Sequence, residues 1–308
     1  MDRPGNRLDR EESLGRHTRA TGPQNRILRP PTSMQRILIT GAAGGMATLL
    51  RPHLARAGRI LRLLDIADVP ANNDGAEIVR ASITDMAAMQ AACTNVDAIV
   101  HLGGLSIEHE WAPILDVNIH GTYVTLEAAR RAGVKRVILA SSNHAIGYTS
   151  TQHGEVSAGA FPRPDTNYGV SKVAMEALGS LYADRYGLDV IAIRIGSCFE
   201  KPKDARMLRT WLSPGDGARL IEACLAAPAP GYRVVWGASN NTRHWVSLDE
   251  ARALGYEPQD DSERFAAELL AEQGEPDPAS PLMRYVGGAW CSEGWNTAVK
   301  EQSKGQSK

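Results

Sequence analysis

The stretch 36–47, RILITGAAGGMA, limits what this chain can fold into more than any other. A short apolar, β-branched run at 36–40 breaks at Gly41 and gives way to an apolar-periodic helix pattern reaching about residue 57. A strand, a glycine turn and a helix in that order bring backbone amides and a helix N-terminus to one place, where a pyrophosphate can meet them. Gly41 permits the tight turn, Gly44 permits close approach of a phosphate, and Gly45 and Met46 complete the turn. The third position of the glycine pattern is Ala47, whose single methyl group still allows close helix–strand packing.

The alternation continues along the chain. Strand patterns at 60–65, 76–81, 97–102, 136–141 and 190–195 are interleaved with helix patterns at 85–93, 114–132 and 167–186. Strands this apolar suit a sheet covered on both faces. The fold class is therefore α/β, a doubly wound parallel sheet of the Rossmann-like kind. After Ser197 the rhythm breaks into a helix at 215–226, a strand at 233–236, a helix at 262–273 and a Pro/Gly-rich end. That part is too short for a domain of its own. It is expected to fold back as a small C-terminal substrate cap formed mainly by 197–288, so that 34–288 is one domain and 289–308 a tail.

Charge excludes some classes. Across 308 residues, 34 Lys+Arg balance 35 Asp+Glu, so neither nucleic acid nor an anionic membrane is an expected partner. The leader 1–33 holds seven arginines, four acids and few apolar residues, and is expected to be disordered. Its acids Asp9, Glu11 and Glu12 and its lack of an apolar core fit neither a transit peptide nor a secretory signal. No apolar run approaches the ~18 residues of a membrane helix. Cys93, Cys198, Cys224 and Cys291 are scattered without ligand spacing, which points to reduced thiols and a cytoplasmic setting.

The chemistry-bearing residues follow the sheet order. Asp65 ends the second strand, where an acid accepts hydrogen bonds from the adenosine ribose hydroxyls and repels a 2′-phosphate. Ile66 and Ala67 follow it rather than an arginine, which favours NAD over NADP. Leu102, Gly103 and Gly104 close the fourth strand and suggest a backbone lying close to the same cofactor. Tyr168 and Lys172 are four residues apart on one helical face. The Lys172 ammonium and a positive nicotinamide would lower the pKa of the phenol and make it a usable base, and Lys172 can also hold the cofactor's ribose. Ser142 ends the fifth strand and can reach the same hydroxyl as Tyr168, because parallel strand ends converge on one edge.

With these residues in place, the chain resembles the short-chain dehydrogenase/reductase superfamily, on its epimerase/dehydratase-like branch, and there the bacterial uronate dehydrogenases. The matching stretches are LITGAAGGMA, HLGGLSIE, ASSNHAIGY, RPDTNYGVSK, RIGSC, RMLRTW and VVWGAS, spanning about 34–288. The resemblance implies NAD-dependent oxidation of a hexuronic acid, glucuronate or galacturonate, at its anomeric carbon to an aldarolactone. It makes Tyr168 the general base, with Ser142 and Lys172 as partners. It places Ser106, Ser142, Asn143, His144, Tyr168 and Ser197 against the sugar, and Arg206 on its carboxylate. A planar guanidinium is also the natural bidentate partner of a carboxylate on physical grounds. The sequence departs from the family in the turn ending Gly45-Met46-Ala47 and in the loop 149–161.

Other readings remain to be weighed. His144 near Ser142 invites a Ser/His hydrolase, but no GxSxG elbow surrounds Ser142 and no third group is evident. His144 is expected to donate to substrate or to fix its loop. Glu108-His109-Glu110 lacks metal-ligand spacing and reads as a solvated loop, and no metal is expected. A nucleotide-sugar epimerase or dehydratase would need a larger C-terminal domain. A non-catalytic NAD-sensing regulator would not need the Tyr168/Lys172 pair. The helices at 114–132 and 167–186 could pair across a two-fold axis in a homo-oligomer.

Overall fold

The computed structural model describes residues 34–294; the expected disordered leader 1–33 and the tail from 295 onward lie outside the described residues. Seven strands form one parallel sheet: β1 (Gln35–Thr40), β2 (Arg59–Asp65), β3 (Glu77–Arg80), β4 (Ala98–His101), β5 (Arg136–Ser142), β6 (Asp189–Ile195) and β7 (Tyr232–Gly237). Their order is β3-β2-β1-β4-β5-β6-β7. The chain leaves β1 for one side of the sheet and later returns to its other side as β4. This places a switch point between β1 and β4, with Thr40 in register with His101. In open α/β sheets ligands bind outside the carboxyl ends of strands at such a point.

Side chains alternate across the sheet, as period-2 geometry requires. Ile37 and Ile39 face one core with Leu50 and Leu54 of α1 (Gly45–Leu54). Leu38 faces the other, with Met89 of α2 (Met86–Ala92) and Val124 of α3 (Gly121–Ala132). Met175 and Tyr182 of α4 (Asn167–Tyr186) join that second core, so both faces are covered and the doubly wound expectation is met. α4 occupies the span read from sequence. The helix expected at 114–132 differs: it begins at Trp111 and its stretch Ile114–His120 is a wide π turn. There the Asn118 amide exchanges bonds with the Leu105 backbone at 2.8 and 3.1 Å and donates to Ser171 Oγ at 3.0 Å. Those bonds tie the loop after β4 to α4, a use typical of such bulges near functional sites.

The stretch expected to cap the site divides in two. α5 (Pro214–Ala226) packs against α1, and β7 extends the main sheet beside β6. The remainder supplies a short parallel ladder, Ser197–Cys198 with Trp211–Leu212, and a helix, α6 (Ala266–Gln273). The chain also stays ordered past Gly288. A 3-10 turn at Gly288–Cys291, of which 289–291 were read from sequence as tail, seats Trp290 against His144. No helix among the described residues is long and apolar enough to cross a membrane.

Candidate active site

The glycine turn is built for backbone approach. Gly41 has φ +69°, and a Cβ there would come within 2.7 Å of Gly103 N and Cα, so the turn after β1 meets the loop after β4 backbone to backbone. Thr40 reinforces the junction, its Oγ1 accepting the Gly103 N–H at 3.1 Å. α1 opens with no side-chain cap on Gly44 and no acid in its first turn, while a Cβ at Gly45 would meet nothing within 4 Å. No side chain of the first turn compensates the positive end of the helix dipole, and there is room in front of it, which fits a pyrophosphate. Ala47 is buried, in keeping with close packing at the third position.

Asp65 stands at the carboxyl end of β2. Its two oxygens accept the N–H groups of Ala43 at 3.0 Å and Ala67 at 2.9 Å, which fixes the carboxylate while leaving lone pairs for ribose hydroxyls. The nearby arginines are engaged elsewhere: Arg59 pairs with Glu222 and Arg62 with Glu77. Neither is held in readiness for a 2′-phosphate. The turn, Asp65 and the residues after β4 therefore fit NAD.

A cleft of about 350 Å³ lies beside this junction and brings Ser142, Tyr168 and Lys172 together with Met46, Leu102 and Gly104. Ser106, Asn143, His144, Ser197 and Arg206 line the same cleft. Gly41, Gly44, Gly45 and Asp65 lie outside it, as does Gly103, whose Cβ position is filled by Ile83 and Thr40. Gly103 serves the packing against Gly41 rather than the cleft wall.

Tyr168 is placed by the first turn of α4. Thr166 caps the helix by accepting the Gly169 N–H at 3.0 Å. Glu108 accepts the N–H groups of Asn167 and Tyr168 at 3.2 and 2.8 Å. The expected solvated loop at 108–110 holds for His109 and Glu110, which are exposed, but not for Glu108, which is half-buried because the helix N-terminus draws its carboxylate inward. One turn on, Lys172 Nζ donates to the Ala140 carbonyl at 2.7 Å and lies 5.3 Å from the Tyr168 ring centroid. A second turn on, Glu176 accepts from Ser141 Oγ at 2.6 Å and forms a buried pair with Arg194 of β6 at 2.7 Å. These bonds lock α4 onto the ends of β5 and β6, which sets the tyrosine against Ser142.

Burial dominates the electrostatics of the tyrosine–lysine pair. Burial pushes the Tyr168 phenol up to about 12, with the Ser142 hydrogen bond pulling the other way. Burial also lowers Lys172 to about 8, with Glu176 opposing. Both shifts have one cause, since desolvation favours each neutral form; the depression expected from Lys172 together with a positive nicotinamide belongs to the NAD-bound site.

The substrate side is polar and tightly held. His144 Nδ1 meets Asp165 Oδ2 at 2.7 Å, and burial lowers the imidazole's pKa against the pull of Asp165. Asp165 is the third group missing from the sequence reading, but the hydrolase alternative still lacks its central contact. Ser142 Oγ accepts the His144 backbone N–H at 3.2 Å rather than meeting the ring. Ser197 Oγ lies 3.3 Å from Thr210 Oγ1. Asn143 Nδ2 and Arg206 Nε both donate to the Val286 carbonyl, at 3.1 and 3.2 Å. Arg206 is buried and pairs with no carboxylate among the described residues, and burial lowers its pKa. Asp165, Glu108 and Trp290 were missed by sequence reasoning. Asp165 had a signal, lying two residues before the helix that carries Tyr168. Glu108 and Trp290 had none, since only the fold brings Glu108 to the N-terminus of α4 and Trp290 to the cleft.

The comparisons with known proteins agree with this geometry. Residues 37–253 match the model of the NAD dependent epimerase/dehydratase family. A uronate dehydrogenase of Pseudomonas putida is 45% identical over 266 residues, covering 85% of this chain and 98% of that protein. A mutant uronate dehydrogenase of Agrobacterium tumefaciens complexed with NAD superposes with a TM-score of 0.80 at 40% identity, over 84% of this chain and 97% of that one. A glucuronic acid dehydrogenase of Chromohalobacter salexigens gives 0.80 at 44% identity, over 83% and 96%.

Proposed function

The chain belongs to the NAD dependent epimerase/dehydratase family, among its uronate dehydrogenases, and on that premise we propose that it oxidises a hexuronic acid at the anomeric carbon with NAD, giving an aldarolactone. The observation that carries this reading is Arg206: a buried guanidinium without a carboxylate partner, facing the cleft that holds Tyr168, Lys172 and Ser142. A buried cation left so is costly unless a ligand completes it. A sugar carboxylate matches its planar fork.

Bound NAD supplies the hydride acceptor and a positive nicotinamide ring. Tyr168 takes the proton of the anomeric hydroxyl as the C1–H bond breaks. Ser142, which lines the same cleft as Tyr168, stabilises the oxygen as charge develops. Lys172 holds its ammonium beside the phenol, anchored on the Ala140 carbonyl. Ser106, Asn143, His144 and Ser197 read the sugar hydroxyls, with His144 set by Asp165. The turn 41–46 and Asp65 hold the pyrophosphate and the adenosine ribose.

The protein acts in the cytoplasm as a homo-oligomer. Trp111, Leu115 and Tyr123 on the long helix ending in α3, with Val170 and Leu181 on α4, are exposed large apolar residues that a second copy would cover. The decisive experiment follows NADH absorbance over a panel of uronic acids, neutral aldoses and UDP-sugars. Turnover confined to uronic acids is the expected result. Turnover or tight NAD retention with UDP-sugars alone would favour the epimerase reading.

A further inference from the structure

A segment from the far end of the chain closes one wall of the cleft. Residues 284–287 run along 147–151 through three backbone bonds: Thr151 N to Arg284 O at 3.0 Å, Val286 N to Thr149 O at 3.0 Å, and Gly287 N to Gly147 O at 2.9 Å. Cys291 Sγ donates to the Gly147 carbonyl at 3.3 Å and pins the following turn. Between these anchors the Trp290 indole stacks on His144, with centroids 3.8 Å apart and planes 22° off parallel. The Tyr168 ring stands edge-on to the same indole at 5.8 Å and 67°. Trp290 is half-buried and lines the cleft.

The chemistry of that wall is specific. The groups around it, His144, Asn143 and Arg206, are polar and suited to hydroxyls and a carboxylate. A pyranose directs its hydroxyls outward and carries C–H groups on its ring faces, so polar contacts alone leave those faces unmatched. A rigid indole beside them adds a flat apolar surface at low entropic cost. Its backing by His144 and by the 284–287 strap keeps it fixed.

We propose that Trp290 is a sugar-binding and specificity-determining residue, its indole packing against a C–H face of the pyranose while the anomeric carbon lies beside Tyr168. The inference rests on the sugar-acid reading above. In the same arrangement the Val286 carbonyl is a positioning group, since it holds Asn143 and Arg206 in one orientation.

The test compares the full-length chain with Trp290→Phe, Trp290→Leu and Trp290→Ala. Two quantities are read: uronate KM at saturating NAD, and calorimetric binding of uronate to the NADH-loaded chain. NADH affinity without sugar is the control. Trp290→Ala and Trp290→Leu should weaken uronate by tenfold or more in both measurements, with kcat changed less than KM. Trp290→Phe should stay within threefold of the parent, and NADH affinity within twofold for all. If Trp290→Ala does not fold, the Leu–Phe contrast decides, because leucine keeps an apolar filling without an aromatic face. Leucine equal to phenylalanine, or a parallel loss of NADH binding, overturns the inference. A parent chain that makes no NADH from any uronate sinks the functional reading and this inference with it. An active parent indifferent to Trp290→Leu sinks only this one.

Discussion

Gly288 lies directly against Arg206: with φ +64°, a Cβ at that glycine would overlap Arg206 Cδ and come within 2.7 Å of Nε. The arginine's orientation therefore depends on a backbone more than eighty residues away. Gly288→Ala carries a left-handed strain and also displaces the guanidinium. Uronate KM should rise at least tenfold while NAD affinity stays within twofold. An unchanged KM would show that Arg206 does not need this support.

Arg206→Ala tests the carboxylate role itself. Removing the cation should raise KM for uronates roughly 100-fold, about 2.7 kcal/mol, and change KM for neutral aldoses less than threefold. An equal rise for both sugar classes would remove the assigned role.

Tyr168→Phe keeps the ring contacts with His144 and Trp290 and deletes only the hydroxyl. Loss of a positioned base should lower kcat by about 10³-fold. NAD binding, followed by calorimetry, should be unaffected. A variant with near-normal turnover would mean that another group takes the proton.

Glu108→Ala removes the acceptor for two N-terminal amides of α4. Such a loss costs about 1–2 kcal/mol, or a Tm decrease of several degrees at this size. Because the same bonds set Tyr168, kcat should fall as well. If Tm drops and kcat holds, Glu108 serves the fold alone.

His101 gives the pH prediction. It is fully buried among Thr40, Thr122 and Thr125, and burial lowers its pKa to about 3. An unfolded histidine binds a proton below about 6.5, whereas the folded one stays neutral. The unfolded state therefore binds more protons between these values, and stability falls as pH falls through that window. Denaturant titrations should show a steeper loss from pH 6.5 to 4 in the parent than in His101→Gln. Parallel pH profiles for the two proteins would refute the assignment.

Much of the fold was legible because its signals are local. RILIT followed by a glycine turn needs only neighbours to be read, and the helix at 167–186 follows from its own apolar spacing. The cleft residues were legible for a related reason: Ser142, Tyr168 and Lys172 lie at element ends that a parallel sheet must bring to one edge. What stayed hidden has partners far away in sequence. Glu108 meets an amide 60 residues on, and Trp290 stacks on a ring from another part of the chain. No periodicity or spacing encodes such contacts.

The division is physical. The sequence by itself determined the alternation of strands and helices, the backbone approach at Gly41, the acid at Asp65 and the order of Ser142, Tyr168 and Lys172 along the chain. These depend on steric freedom, residue polarity and period. Only the tertiary structure decided the protonation balance at Tyr168 and Lys172, because desolvation depends on everything packed around a group. It also decided that Arg206 is buried without a carboxylate, and that the segment after Gly288 belongs to the site, since its contacts exist only once the chain has closed on itself.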